Sequence, residues 1–198
     1  MTDVKSSPGP TPATDQHSPS RSFSNREAQE GWNAVATTHT GVKVTITPAR
    51  PEDRSALERF FERVTSEDLY FRFLSGLRKV DDARLEAMLR DDDDSSIDFL
   101  AIDDEDGEIL ATAMLVADAD FDSAEIAMCT REDAKHKGIS WMLLDHGANY
   151  AAAMGVRRIY ALQSISQADA LRLEREMGFT VRTQPDDPTI MLVEKTFR

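Results

Sequence analysis

The chain has a single cysteine, Cys129, in 198 residues, so it can form no internal disulfide and offers no cysteine-cluster zinc site. No apolar run approaches the ~18 residues needed to cross a bilayer. The first thirty residues lack both the basic start and the continuous apolar stretch of a secretory leader. Clustered Lys and Arg are missing too: 23 of them stand against 36 Asp and Glu, a formal charge of −13. That balance excludes a general nucleic-acid binder, because neutralising phosphates takes basic patches. These absences lead us to expect a soluble, cytoplasmic protein with no metal, no membrane contact and no nucleic-acid partner. The sequence does not set its oligomeric state.

What is present suffices for a folded domain, since 40% of the residues are hydrophobic. Residues 1–40 read differently from the rest. Ser, Thr, Pro and Asp dominate the first 24, with Pro8, Pro10, Pro12 and Pro19 among them. Such a segment has too little apolar surface to offset its ordering entropy, and it is expected to be a disordered tail. Trp32 and Val35 are the sizeable apolar residues near its end. Residues 41–198 are expected to form one domain.

In that domain Val42-Lys43-Val44-Thr45-Ile46-Thr47 alternates as a strand does. Pro51 with Glu52 and Asp53 opens a helix, Leu57, Phe60, Phe61 and Val64 follow at helical spacing, and Ser66-Glu67-Asp68 starts another. A third helix is predicted over 81–90. Strands are predicted at 97–102, 109–116 and 124–130, the first two joined by Asp103-Asp104-Glu105-Asp106-Gly107, a hairpin turn. A helix over 138–154, a strand at 158–162, a helix at 168–177 stopped by Gly178, and strands at 179–182 and 190–193 complete the chain. The order is that of a mixed α/β domain.

The most informative stretch runs from Ala124 through Thr130 to Lys135-His136-Lys137-Gly138-Ile139-Ser140. A strand ends, a short polar loop follows, and a helix opens at a glycine. Unpaired N–H groups at a helix N-terminus, together with its dipole, favour an anion such as phosphate. Gly138 and Ser140 let it approach closely, and Lys135 and Lys137 add positive charge. An ordinary capped strand–helix junction carries the same residue types, and the Gly-x4-Gly-Lys-Ser/Thr spacing of a Walker loop is missing.

Lys135-x-x-Gly138-x-Ser140 resembles the acetyl-CoA loop of the GNAT N-acetyltransferase family, Gln/Arg-x-x-Gly-x-Gly/Ala. Ala124-Glu125-Ile126-Ala127 resembles the fourth-strand signature of bacterial protein-lysine acetyltransferase catalytic domains. Arg50-Pro51-Glu52-Asp53 and the run from Ser66 to Phe73 also look like the start of that subgroup, Phe179-Thr180-Val181-Arg182 with Pro185-Asp186-Asp187-Pro188 looks like its tail, and Met177-Gly178-Phe179 is similar to the Leu-Gly-Phe that ends the wider family's last helix. The resemblance covers residues 42–198. It implies the GNAT fold, with a mixed central sheet splayed between its fourth and fifth strands, and acetyl-CoA as cosubstrate without a metal. It further implies that an acceptor amine, with protein lysine as the leading class, attacks the acetyl group directly. Backbone at Met128, Cys129 and Thr130 would hold the pantetheine arm, and the loop from Lys135 through His136, Lys137, Gly138 and Ile139 to Ser140 the pyrophosphate. Gln167 stands where many members place an Asn that helps hold the arm. Glu125 matches the proposed general base; set among apolar and small strand residues, its carboxylate is expected to be partly desolvated and its pKa raised. Glu174 stands where many members carry a Tyr that protonates the leaving thiolate, a Tyr often missing from the subgroup, and no general acid is assigned.

Departures from the loop pattern keep two other readings open. Lys135, His136 and Ser140 replace the usual Gln/Arg, Gly and Gly, which also suits a non-catalytic acyl-CoA sensor, and a small-amine or polyamine acetyltransferase fits the same motifs. Between Asp81 and Asp122 sixteen acidic residues face only Arg84 and Arg90, a local balance of −14. Such a belt draws in a cationic acceptor or keeps the protein in solution.

Overall fold

The structure is a computed structural model, and it describes residues 22–23, 31–73, 79–90 and 93–197. Eight strands form one sheet in the order β1-β2-β3-β4-β5-β6-β8-β7. They are β1 (Ala34–Thr37), β2 (Lys43–Pro48), β3 (Ser96–Asp103), β4 (Ile109–Ala117), β5 (Ser123–Thr130), β6 (Arg158–Ser164), β7 (Thr180–Gln184) and β8 (Asp187–Thr196). Neighbours are antiparallel except β5 and β6, which run parallel. Three helices follow β2: α1 (Arg54–Glu62), α2 (Ser66–Phe73) and α3 (Asp82–Leu89). Helix α4 (Ile139–Ala153) joins β5 to β6, and α5 (Ala168–Glu176) joins β6 to β7. The mixed sheet with flanking helices is the expected architecture.

Local chemistry sets the element ends. The Asp81 carboxylate accepts from the Arg84 N–H at 3.0 Å and caps α3. Thr65 Oγ1 accepts from the Asp68 N–H at 3.1 Å at the start of α2. In the turn between β4 and β5, the Asp118 carboxylate accepts from the N–H groups of Asp122 and Ser123 and from the Ser123 hydroxyl.

Both faces of the sheet are covered, so neighbouring residues on a strand enter different cores. On β3, Phe99 packs in the core under α4, while Leu100 packs with Leu57, Phe60 and Leu85 under α1 and α3. Helix α4 lies so close to the sheet that a Cβ on Gly147 would stand 3.1 Å from Ile126 Cδ1.

The domain boundary expected at residue 41 falls inside a β-hairpin. Strand β1 pairs with β2 from Ala34↔Ile46 to Thr37↔Lys43. Phe23, further upstream, is fully buried under α4: its ring packs edge-on against Phe121 at 5.0 Å and lies 5.5 Å from Tyr150. Trp32 adds an edge contact to Tyr150 at 5.1 Å and another to His146 at 5.8 Å. The rest of the predicted tail, 1–21 and 24–30, lies outside the described residues. An isolated aromatic in a Ser- and Pro-rich stretch has no periodicity to announce it, and β1 is a four-residue edge strand whose Val35 is exposed.

Truncating a fully buried phenyl ring costs ~3–5 kcal/mol. Phe23→Ala is therefore expected to lower the unfolding free energy by that amount in urea titration, while Val35→Ala changes it by less than about 0.5 kcal/mol. Equal, small effects from both would place Phe23 outside the core.

Candidate active site

The sheet has one opening. Strands β5 and β6 pair over three residues, Ser123↔Arg158, Ala124↔Ile159 and Glu125↔Tyr160, and then part. β5 continues to Thr130 on its β4 partner, and β6 continues to Ser164 on its β8 partner. Between the diverging edges lies a cavity of about 1230 Å³, lined by residues 125–130, by Leu162 and Gln163 of β6, and by parts of α2 and α5. Strand backbone facing this gap lacks an interstrand partner, so its N–H and C=O groups are free to bond a ligand that lies along them.

At its far end the cleft meets the start of α4. Among the described residues, none of the N–H groups of residues 136–141 donates to a backbone carbonyl; the first of the helix to do so is Met142, to Gly138. His136 (φ 60°) and Gly138 (φ 85°) take left-handed conformations to turn the chain into the helix. Gly138 has a second constraint, because a Cβ there would stand 2.7 Å from His39 Nδ1 and 2.9 Å from His39 Cε1. Two hydroxyl contacts fix the junction. Thr130 and Ser140 share a hydrogen bond at 2.9 Å, and Thr40 Oγ1 donates to the Lys137 carbonyl at 2.9 Å. The turn between β1 and β2 thus buttresses the loop, which the sequence did not announce.

The lysines divide. Lys135 Nζ donates to Asp68 of α2 at 2.7 Å and to Glu132 at 2.8 Å, which ties the loop to α2. Lys137 is exposed and makes no ion pair with a described residue.

Glu125, half-buried, is the carboxylate that β5 presents to the cleft. It stands beside Tyr160, whose phenol is pushed above its usual range by burial and then by the Glu125 charge. Met128, Cys129 and Thr130 line the opening. The Cys129 thiol is nevertheless buried, and burial pushes it up to about 12, which leaves it an inert packing group. Above it, Arg72 of α2 faces Asp98 of β3 at 3.6 Å in a nearly dry pair, and burial pushes Asp98 up to about 7. On the opposite wall, Gln167 begins α5 with its side-chain Oε1 buried and without a described partner. Gln163 Nε2 donates to Glu174 Oε1 at 2.9 Å. The Arg72–Asp98 pair had no clear sequence signal; Glu174 had one, a charged residue three positions after Leu171 on the buried stripe of α5.

A parted pair of strands opening onto a helix start with bare N–H groups can hold an extended, anionic ligand, and similarity to known proteins says which family builds such a site. The model of the acetyltransferase (GNAT) family matches residues 58–179, more than half of the chain, and the protein belongs to that family. It is similar to an acetyltransferase of Pseudomonas aeruginosa, 29% identical over 164 residues that cover 82% of this chain and 88% of that one. The GNAT domain of S. lividans PAT has the same fold, with a TM-score of 0.76 at 22% identity over 84% of this chain and 97% of that domain. A spermidine N-acetyltransferase from Vibrio cholerae, solved with CoA and spermine, shares the fold at a TM-score of 0.62 and 13% identity over 77% of this chain and 95% of its own.

Gly138→Ala is expected to destabilise the protein by at least ~1–2 kcal/mol, since a side chain in the left-handed region costs about that much before any clash. Adding His39→Ala should return the part due to the clash and leave the rest. Thermal melting of the three variants checks this; an unshifted Gly138→Ala would contradict the loop geometry.

Proposed function

We propose that the protein transfers the acetyl group of acetyl-CoA to a primary amine, with a protein lysine as the leading acceptor class and Glu125 as general base. The observation that carries the donor is the continuity of the β5–β6 cleft with the bare N–H groups at the start of α4. An extended amide-containing arm suits the first, and a pyrophosphate suits the second. In this reading the backbone of Met128, Cys129 and Thr130 bonds the pantetheine arm as an added strand, and the Met128 N–H polarises the thioester carbonyl. The N–H groups of His136, Lys137, Gly138, Ile139 and Ser140 take the pyrophosphate, with the Lys137 side chain as the adjacent free charge. Lys135 holds the loop to α2 through Asp68 and leaves one ammonium N–H for the phosphate side of the cleft. The unpartnered Oε1 of Gln167 fits an amide N–H of the arm.

Acetyl-CoA supplies the activated acetyl group; the protein must orient the amine and take its proton. Glu125 suits that task because it lies in the cleft wall where the two strands part, and an ionised carboxylate accepts a proton from the attacking nitrogen directly or through one water. A protein lysine is favoured over a free amine by the similarity of 50–53 and 66–73 to protein-lysine acetyltransferase domains and by the S. lividans PAT fold. The acidic run from 81 to 122 favours any cation, a polyamine included.

Glu125→Gln keeps the volume of the side chain and removes its basicity. We expect turnover to fall ~10²–10⁴-fold while acetyl-CoA affinity, measured by calorimetry, stays unchanged. Thiol release is followed with lysine peptides, polyamines and aminoglycosides as acceptors. Normal turnover in the variant would remove Glu125 as the base; release with polyamines alone would replace the acceptor; binding of acetyl-CoA without release for any amine would favour a sensor.

A further inference from the structure

The helix-covered side of the cleft carries a cation that the reaction above leaves unused. Arg72, on the last turn of α2, lines the cavity, and its side chain is only 4% exposed. A guanidinium stays charged in a protein and carries five N–H donors. Nε and Nη2 are sealed off without a hydrogen-bond partner among the described residues, which leaves Nη1 as the corner open to the cavity. The carboxylate beside it is Asp98, but at 3.6 Å from Nη2 it accepts no hydrogen bond, and its own Oδ1 is buried without a donor. Asp68, one turn earlier on α2, is taken by Lys135 Nζ and Thr65 Oγ1. The Phe73 ring lies 5.1 Å from the guanidinium carbon and offers it a face but no oxygen.

A dry guanidinium with bare donors is costly to the fold. Burial pushes Asp98 up to about 7, so near neutral pH even that charge offsets it only part of the time. An oxygen anion brought by a ligand would satisfy it with a charge-assisted hydrogen bond.

The sheet fixes where along the cleft this happens. Asp98 of β3 lies opposite Met114 of β4, and Met114 lies opposite Ala127 of β5. Alternation puts Asp98 with Leu100, and Ala127 with Cys129, on the face under α1, α2 and α3. Arg72 is also the charge that bears most on the Cys129 thiol. The cation therefore flanks β5 between Ala127 and Cys129, beside the Met128 backbone assigned to the thioester. Glu125, where the amine is placed, lies two residues, roughly 7 Å, before Ala127. Ala127 contributes only a methyl group there, so the strand does not fill the space in front of Arg72.

We propose that Arg72 binds a carboxylate carried by the donor, the far end of a short dicarboxylic acyl group such as malonyl or succinyl, so that the protein transfers acidic acyl groups besides acetyl. This rests on the acyltransferase reading above. With the acyl carbonyl at the Met128 N–H, the chain turns to the α2 side and its terminal carboxylate meets Nη1. The neutral amine nitrogen forms its bond to the acyl carbon, and the carbon–sulfur bond breaks with its electron pair on sulfur. The amine's proton passes to Glu125 and through water to the sulfur. The far carboxylate is unchanged, so amine plus acyl thioester gives amide plus thiol, and the amide carries a negative charge at its end.

Two stable CoA thioethers with matched chains, S-(3-carboxypropyl)-CoA and S-butyl-CoA, isolate the carboxylate in calorimetry. Wild type is expected to bind the first ~10–100-fold more tightly, the range of a hydrogen bond to a charged group. In Arg72→Gln the preference should fall to near one. Should that variant fold poorly, Arg72→Gln/Asp98→Asn leaves no buried charge behind and should show the same loss. Single-turnover transfer to a lysine peptide should follow the same pattern for succinyl-CoA against butyryl-CoA. Equal binding of the two thioethers by wild type, or a preference that persists without Arg72, overturns the proposal. So does an Arg72-dependent preference confined to the acceptor, with 4-aminobutyrate favoured over butylamine when acetyl-CoA is the donor, because the carboxylate then belongs to the amine. Wild type that binds neither thioether nor acetyl-CoA would instead overturn the acyltransferase reading.

Discussion

Strands β5 and β6 stay together for only three pairs, and the site depends on their separation. Had the parallel pairing run the length of both strands, the backbone of residues 126–130 would be saturated and Glu125 would be one more side chain on a closed sheet. Each strand can leave because it is held on its other side, β5 by β4 to Thr130 and β6 by β8 to Ser164. Outer pairing therefore supplies the stability, and the inner edges are left for ligand bonding. Polar groups line both lips of this divide, Glu125 on one and Gln163, Gln167 and Glu174 on the other.

The end of the cleft is assembled from three distant parts of the chain. Thr130 and Ser140 clip the strand to the helix, Thr40 holds the loop carbonyl from the β1–β2 turn, and Lys135 ties the loop to Asp68 on α2. A loop with a free row of N–H groups needs such external bracing, because it cannot use those groups for its own hydrogen bonds.

Most elements were legible because they follow the periodicity of strands and helices: β2 alternates buried and half-exposed residues, and α1 buries Leu57, Phe60 and Phe61 on one stripe. Long strands outran their predicted ends, as where β8 begins at Asp187 and not at 190, since the hairpin pair Gln184↔Asp187 with β7 carries polar residues that propensity alone excludes. Residue types at the site were legible through their order, Glu125 before Lys135-x-x-Gly138. Partnerships were not. Nothing local to Lys135 signals Asp68, sixty-seven residues away, and nothing near Phe23 or His39 signals α4 or Gly138, because those contacts exist only after the sheet has formed.

Gly147 brings α4 down onto Ile126 from a point eight residues, roughly 12 Å, behind the helix start. An α-helix of fifteen residues transmits displacement along its axis as a stiff rod, and here its forward end is the row of N–H groups that closes the cleft. The seat at Gly147 consequently acts as a fulcrum. A methyl group inserted under the helix would force helix and sheet apart by a few tenths of an ångström, so the lie of that N-terminal row depends on a residue at the back of the helix, outside the cleft.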